Sequence, residues 1–307
     1  GVTNKDLFKA IASHLRQRGA VTFLKWVKGH ATSLGNKEAD KLALEGAQKT
    51  TFDIVDLSIN KKFNLTGAQL SCMSQALAYT GIRELKVCPP RNSTVINMDI
   101  TRHAVKTISG KTPTDATIWH SIRNKDITRN IRVFLWKTLH KTQKCGEYWL
   151  NIPGFEHRLN CPTCCVDESM THILTDCAVP GQKEIWKLVS TLWSKKHDYW
   201  PRIRNIGAIT GCGLANFKDD RGKQMDGANR LYRILISESA FLIWKLRCTR
   251  VIELGEDEVL WPSKQEIHNR WTHAINRRLA LDQEMTSTRY GKKALDKSLV
   301  LHTWSGV

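Results

Sequence analysis

Two groups of residues in this chain have the types and spacing to do chemistry. The first is Lys28, Gly29, His30 and Asp40, within the stretch WVKGHATSLGNKEADKLALEGA at residues 26–47. A His on a polar loop, followed ten residues later by an Asp in the first turns of a helix, suits metal-dependent phosphodiester chemistry. An imidazole titrates near neutrality and can move a proton. A carboxylate is the natural ligand of a hard divalent ion. The second group is Cys161, Cys164, His172 and Cys177, spaced C-x2-C-x7-H-x4-C. A CxxC turn aims two thiolates at one point, and a His and a Cys five apart can share a face of a short helix over residues 170–177. Four such ligands in a tetrahedron make a structural zinc site. Cys165 and His157 stand close enough in sequence to replace a ligand, so the donor set stays open at this level. The plain alternatives are an Asp that serves only the helix dipole and cysteines that fill a helical core.

These groups need elements to position them. Leu7, Phe8, Ile11 and Leu15 recur at helical spacing, with Thr3 and Asp6 as a capping pair. Arg18-Gly19 ends that helix. Residues 21–27 are rich in β-branched and aromatic side chains and read as a strand. A second helix follows over residues 36–47, with Asn36 as its N-cap. Residues 48–65 read as a linker, and a further helix is expected after Thr66, through Leu70, Met73, Leu77 and Ile82. Cys88-Pro89-Pro90-Arg91-Asn92 is a clear break. Two or three helices are expected over 99–144, and more at 184–192, 229–253 and 264–284. The tail from Arg289 is weakly patterned. The organisation expected is 1–49, then 50–98 as linker and helix, 99–180 as a basic helical region with the Cys/His segment, and 181–307 as a C-terminal helical region.

The order and spacing of Trp26-Val-Lys-Gly-His30 and Gly35-Asn-Lys-Glu-Ala-Asp40-Lys-Leu-Ala43, with helix, strand and helix around them, resemble the C-terminal end of the catalytic domain of type 1 ribonucleases H. That resemblance covers about the first fifty residues and only the last third or so of such a domain. It implies cleavage of the RNA strand of an RNA–DNA hybrid through two Mg²⁺ (or Mn²⁺) ions held by four carboxylates. Asp40 would be one metal ligand, His30 the mobile helper in proton transfer or product departure, and Lys28 and Gly29 part of the substrate-facing strand end. The family's upstream catalytic carboxylates have no counterpart here: Asp6 and Glu38 are the only acids before Asp40. The chain is therefore expected to be a fragment, inactive as it stands.

The Cys/His segment carries a second resemblance. Trp136, Leu139, Gly146, Tyr148 and Trp149 precede it, and Glu168-Ser169-x-x-His172-Ile173-Leu174 lies inside it. It is similar to the zinc-binding segment downstream of the polymerase in non-LTR retrotransposon reverse transcriptases, which implies a structural Zn²⁺ and a retroelement origin. The fold class expected is thus an α/β ribonuclease H-like fragment, followed by a mostly α-helical region with a small zinc knuckle.

Composition narrows the partners. Lys and Arg number 47 against 29 Asp and Glu in 307 residues, a formal charge of +18. Such a balance favours polyanions, because each neutralised phosphate releases condensed counterions. Ten Lys or Arg fall between Arg102 and Lys144 against Asp115 and Asp126, and Arg270, Arg277, Arg278, Arg289, Lys292 and Lys293 form a second concentration. Nucleic acid is the expected partner, an RNA–DNA hybrid or RNA or DNA generally. Nine of eleven Trp lie between Trp119 and Trp271. Apolar helix positions of this kind usually serve the core, with base stacking as the alternative. No apolar run reaches the ~18–20 residues that span a bilayer, and no secretory leader is evident. An intracellular protein, nuclear or cytoplasmic, is expected, and its crowded cysteines point to metal before disulfides. The runner-up to the enzyme is a non-catalytic, zinc-containing nucleic-acid-binding module.

Overall fold

A computed structural model describes residues 4–23, 34–51, 54–62, 73–86, 89–255 and 257–307. The chain divides into two compact units, Gly1–Cys88 and Pro89–Val307, at the Pro-Pro break. The described residues are mostly helical.

The first unit contains α1 (Lys5–Gln17), α2 (Leu34–Ala47) and α3 (Gln75–Leu85). Asn4, in the left-handed region at φ 61°, caps α1 without a side-chain bond, and Thr3 of the expected capping pair lies outside the described residues. Helix α2 starts at Leu34, so Asn36 sits inside the first turn and is not the N-cap. Helix α3 is capped where the Ser74 hydroxyl accepts from the Leu77 N–H at 3.2 Å; residues 66–72, where a helix was expected to begin, lie outside the described residues. The expected strand is not seen where it can be judged. Residues 21–23 are irregular, with Val21 and Phe23 exposed, and 24–27 lie outside the described residues. Among the described residues there is no β-strand, only isolated bridges at Asn160–Asp167 and Lys218–Gln224. The α/β reading of the N-terminus is corrected to that extent. A strand is stable only when a neighbour completes its hydrogen-bond ladder. Of the unit's described residues only Ala10 and Ser13 are buried; Leu7, Phe8 and Ile11, read as an apolar face, are exposed.

The second unit is built around one long helix. Its helices are α4 (Asn92–Ser109), α5 (Asp115–Ser121), α6 (Arg129–Leu139), α7 (Gln182–Trp193), α8 (Ile206–Thr210), α9 (Asp226–Cys248), α10 (Lys264–Glu284) and α11 (Lys297–Trp304). Helix α9 is about 35 Å long at ~1.5 Å per residue and is buried nearly all round, as an interior helix should be. Leu231, Leu235, Ile236 and Ile243 from α9 share one core with Ile118, Leu135, Leu174, Val189 and Ile275. Residues 99–180 and 181–307, separated in the sequence reading, therefore share a single hydrophobic interior. Two glycines permit close packing. A Cβ at Gly207 would overlap the Ile100 carbonyl of α4, and one at Gly227 would overlap the His302 carbonyl of α11.

Tryptophan serves this core. Trp186 donates to the Leu174 carbonyl at 2.8 Å, Trp193 to the Tyr199 carbonyl at 2.9 Å, and Trp271 to the Ser239 hydroxyl at 2.8 Å. The tail is more ordered than its pattern suggests: Asp296 caps α11, accepting from Leu299 N–H at 2.8 Å. Trp304 of α11 then donates to Asp282 at 2.8 Å.

Asp282 belongs to a buried ionic network. Arg230 of α9 forks onto both Asp282 oxygens at 2.6 and 2.8 Å and reaches Asp126 at 2.9 Å. Arg233 also pairs with Asp126, and Arg278 donates to the Asp126 carbonyl at 3.1 Å. The loop before α6 and helices α9, α10 and α11 are thus joined at one point. Charges this deep persist only when paired and hydrogen-bonded.

Candidate metal centre

The Cys/His segment folds as a small knuckle leading into a widened helical turn. Asn160 bridges Asp167, Cys161 N–H donates to the Val166 carbonyl at 2.8 Å, and Cys165 N–H returns to the Cys161 carbonyl at 2.8 Å. The turn closes because Cys165 takes the left-handed conformation, φ 55°. After the knuckle, Ser169 accepts the His172 N–H at 3.1 Å and starts a short helical stretch. That stretch is a π-helical turn, His172–Asp176, closed by Cys177 N–H donating to the His172 carbonyl at 2.8 Å. The short helix expected over residues 170–177 is thus present in part as a π-helical turn. An i→i+5 turn brings residues five apart to the same side, which an α-helix does not, and such turns cluster at functional sites.

The outcome is convergence. Ligand atoms of Cys161, Cys164, His172 and Cys177 all lie within 4.8 Å of one another. The Cys161 and Cys177 sulfurs are 3.9 Å apart. Two thiolates at about 2.3 Å from one tetrahedral zinc would be about 3.8 Å apart. Cys161, His172 and Cys177 are buried, and the His172 Nε2 is buried with no hydrogen-bond partner. A buried imidazole nitrogen without a partner is costly, and a metal bond is one way to satisfy it. The Cys164 sulfur accepts the Ala178 N–H at 3.3 Å, which orients it from behind. The four residues are compatible with a structural zinc.

The open choices close. Cys165 is exposed, its sulfur turned to the Pro162 carbonyl at 3.8 Å, and Cys164 is the CxxC thiol that joins the cluster. His157 packs beside Phe155, with ring centroids 6.3 Å apart, and stands outside the cluster. Burial raises the Cys164 thiol, but the Ala178 N–H and the neighbouring Cys161 and Cys177 outweigh it, leaving the thiol below its ordinary value. Burial pushes the Cys177 thiol up to about 12. A metal there must displace protons.

A second layer fixes the centre to the core. Glu168, buried, pairs with Arg247 of α9, whose Nε lies 3.1 Å away. Arg250, in the π-helical turn Thr249–Glu253 that prolongs α9, approaches the same carboxylate at 3.5 Å. The Arg250 guanidinium also lies 5.4 Å over the Trp261 ring, and Trp261 packs on Cys161, Cys177 and Val179. Sequence reasoning singled out Glu168 but missed Arg247, Arg250 and Trp261, which lie 70 and more residues further on. A buried Glu near a predicted metal site demanded a cationic partner, and that was the available signal.

The other predicted site falls mostly outside the described residues. His30, Lys28 and Gly29 lie outside the described residues. Asp40 is exposed on α2, where Asn36 donates to it at 3.4 Å. Among the described residues the Cys/His cluster is the one grouping of three or more potential metal ligands, and none is made of carboxylates. No described helix is long and apolar enough to cross a membrane. Residues 89–307 carry 34 Lys and Arg against 22 Asp and Glu, so the unit that contains the Cys/His centre also supplies most of the excess positive charge. No protein-family model, curated protein or solved structure matches this chain.

Proposed function

We propose that residues 89–307 form a non-catalytic nucleic-acid-binding module held together by one structural zinc ion. The convergence of Cys161, Cys164, His172 and Cys177 carries this reading. Zinc would join the 161–164 turn to the 172–177 turn, as a closed four-ligand site does. It would supply no chemistry, since every ligand position is filled by protein. The strongly basic helical body around it supports a polyanionic partner.

The test is elemental analysis together with a salt titration. The purified chain is expected to hold one zinc per molecule. It is also expected to bind labelled RNA or DNA without Mg²⁺, with affinity falling steeply between 50 and 200 mM salt, about 10³-fold for six phosphate contacts. No binding at low salt would sink the reading.

The RNA–DNA hybrid ribonuclease reading rests on the likeness of residues 26–47, and Asp40 stands on a helix as that likeness requires. On it, Mg²⁺-dependent cleavage of a labelled hybrid by the complete protein would be lost on Asp40→Asn. The binding-module reading expects no cleavage with either residue.

A further inference from the structure

Between α6, α9 and α10 lies an open cleft of about 800 Å³. We propose, resting on the nucleic-acid reading above, that this cleft is where the module takes a single strand of RNA or DNA. Its basic side chains come from two helices. Lys245 stands on α9, and Arg270, His273 and Arg277 follow one another along α10 at intervals of three and four residues. That spacing places all three on one stripe of the helix. Each of these four side chains is exposed.

The balance of charge inside the cleft decides what it attracts. Glu238 is its only acid among the described lining residues. That carboxylate is answered from within by Arg278, 3.8 Å away. Arg270 is engaged by Glu266 at 2.5 Å, one turn back on its own helix. Lys245 and Arg277 have no ion pair within 4.0 Å among the described residues; both act on the Glu238 carboxylate from further off, and two exposed cations against that one acid leave the cleft positive.

The lower part of the cleft is apolar. Leu242 and Leu246 are buried there, and Phe241 is half-buried, with the Lys245 ammonium 5.3 Å over its ring. Cations above an aromatic and aliphatic floor are the arrangement that holds a single strand, phosphates on the rim and bases below. A base entering the cleft would take the face of Phe241 that the ammonium covers and leave Lys245 to a phosphate. A duplex keeps its bases turned inward and offers nothing to this floor. An acidic peptide would find the cations, but a cleft walled by helices gives it no sheet edge with which to pair its backbone.

The experiment is anisotropy titration of the full chain with a fluorescein-labelled 12-nucleotide oligo(U) and with a 12-base-pair duplex, from 50 to 300 mM KCl. The expected result is tighter binding of oligo(U) than of duplex. Lys245→Gln with Arg277→Gln should flatten the salt slope by about 1.4, at ~0.7 per phosphate contact for single strands, which is about 25-fold in affinity at 0.1 M. Both side chains are exposed, so an unchanged thermal melt certifies the fold. A control pair outside the cleft and outside both basic concentrations, Lys183→Gln with Lys187→Gln, both exposed on α7, should keep the parent's slope. An unchanged slope in the cleft variant, or an equal loss in the control, overturns the cleft as the site and leaves the module's binding standing. Tighter duplex binding overturns the single-strand assignment. Displacement of oligo(U) by polyglutamate at equal charge overturns nucleic acid as the ligand of the cleft. Failure of the parent chain to bind any nucleic acid removes the proposed function itself.

Discussion

Cys161→Ser is expected to empty the zinc site and lower the melting temperature by roughly 6–20 °C. The Cys161 side chain is fully buried, and its sulfur sits 3.9 Å from that of Cys177. A serine hydroxyl there cannot replace a thiolate ligand and is itself buried. In small zinc-finger peptides metal binding is the folding energy, ~10–16 kcal/mol. Here the helical core around α9 stands on its own, so a loss of about 3–5 kcal/mol is expected. For a domain of this size each kcal/mol moves the melting temperature by ~2–4 °C. Zinc content and thermal melts check it, with EDTA-treated wild type as the reference. Cys165→Ser should leave both unchanged, because that sulfur is exposed and directed away. If the cysteines merely filled a core, EDTA would do nothing. The pH dependence has a fixed sign. Each thiol must lose its proton to bind metal, and burial holds Cys177 up at about 12 in the metal-free state. Zinc affinity should therefore rise with pH and weaken on acidification.

Arg230→Met is the second large effect expected, a destabilisation of about 3–5 kcal/mol, the usual cost of leaving buried charge unpaired. The guanidinium serves Asp282 through two hydrogen bonds and Asp126 through a third, and all three side chains are buried. Arg278, 3.7 Å from Asp282, and Arg233, beside Asp126, can compensate only part. The check is the midpoint of urea unfolding. Adding Asp282→Asn to Arg230→Met removes one of the abandoned charges and should recover a good share of the loss, so the pair will not be additive. Strict additivity would mean that the network contributes as separate contacts.

What was legible in the sequence follows from how local each signal is. The helices of the second unit were readable because their apolar positions repeat at 3.6 residues over long windows, α9 and α10 above all. The Cys/His cluster was readable because CxxC and the His/Cys pair are short-range patterns. The left-handed Cys165 that resolves the doubled cysteine was not, since only the closed turn shows which thiol faces inward. Arg247, Arg250 and Arg230 read as ordinary basic residues on helices, yet they are buried. Their partners, Glu168, Asp126 and Asp282, are 52 to 104 residues away, a separation no periodicity reports. Helix α11 escaped because its stability comes from Asp296 and from Trp304 reaching Asp282. The expected strand at 21–27 failed over its described residues for the opposite reason: local propensity was strong, and no ladder supports it there.

The π-helical turn at His172–Asp176 sets a requirement of a different kind. At about 100° per residue, an α-helix would carry residue 177 some 140° away from the bearing of residue 172. The wider turn is a phase correction that cancels this offset. It ties the spacing of the two residues to the width of the turn, whatever side chains lie between them. Asp176 is exposed, so alanine in its place should leave the zinc content unchanged. Deleting it would set Cys177 four residues after His172, a spacing that an ordinary α-helical turn keeps on one face, about 40° apart. The five-residue spacing and the wide turn therefore answer to each other.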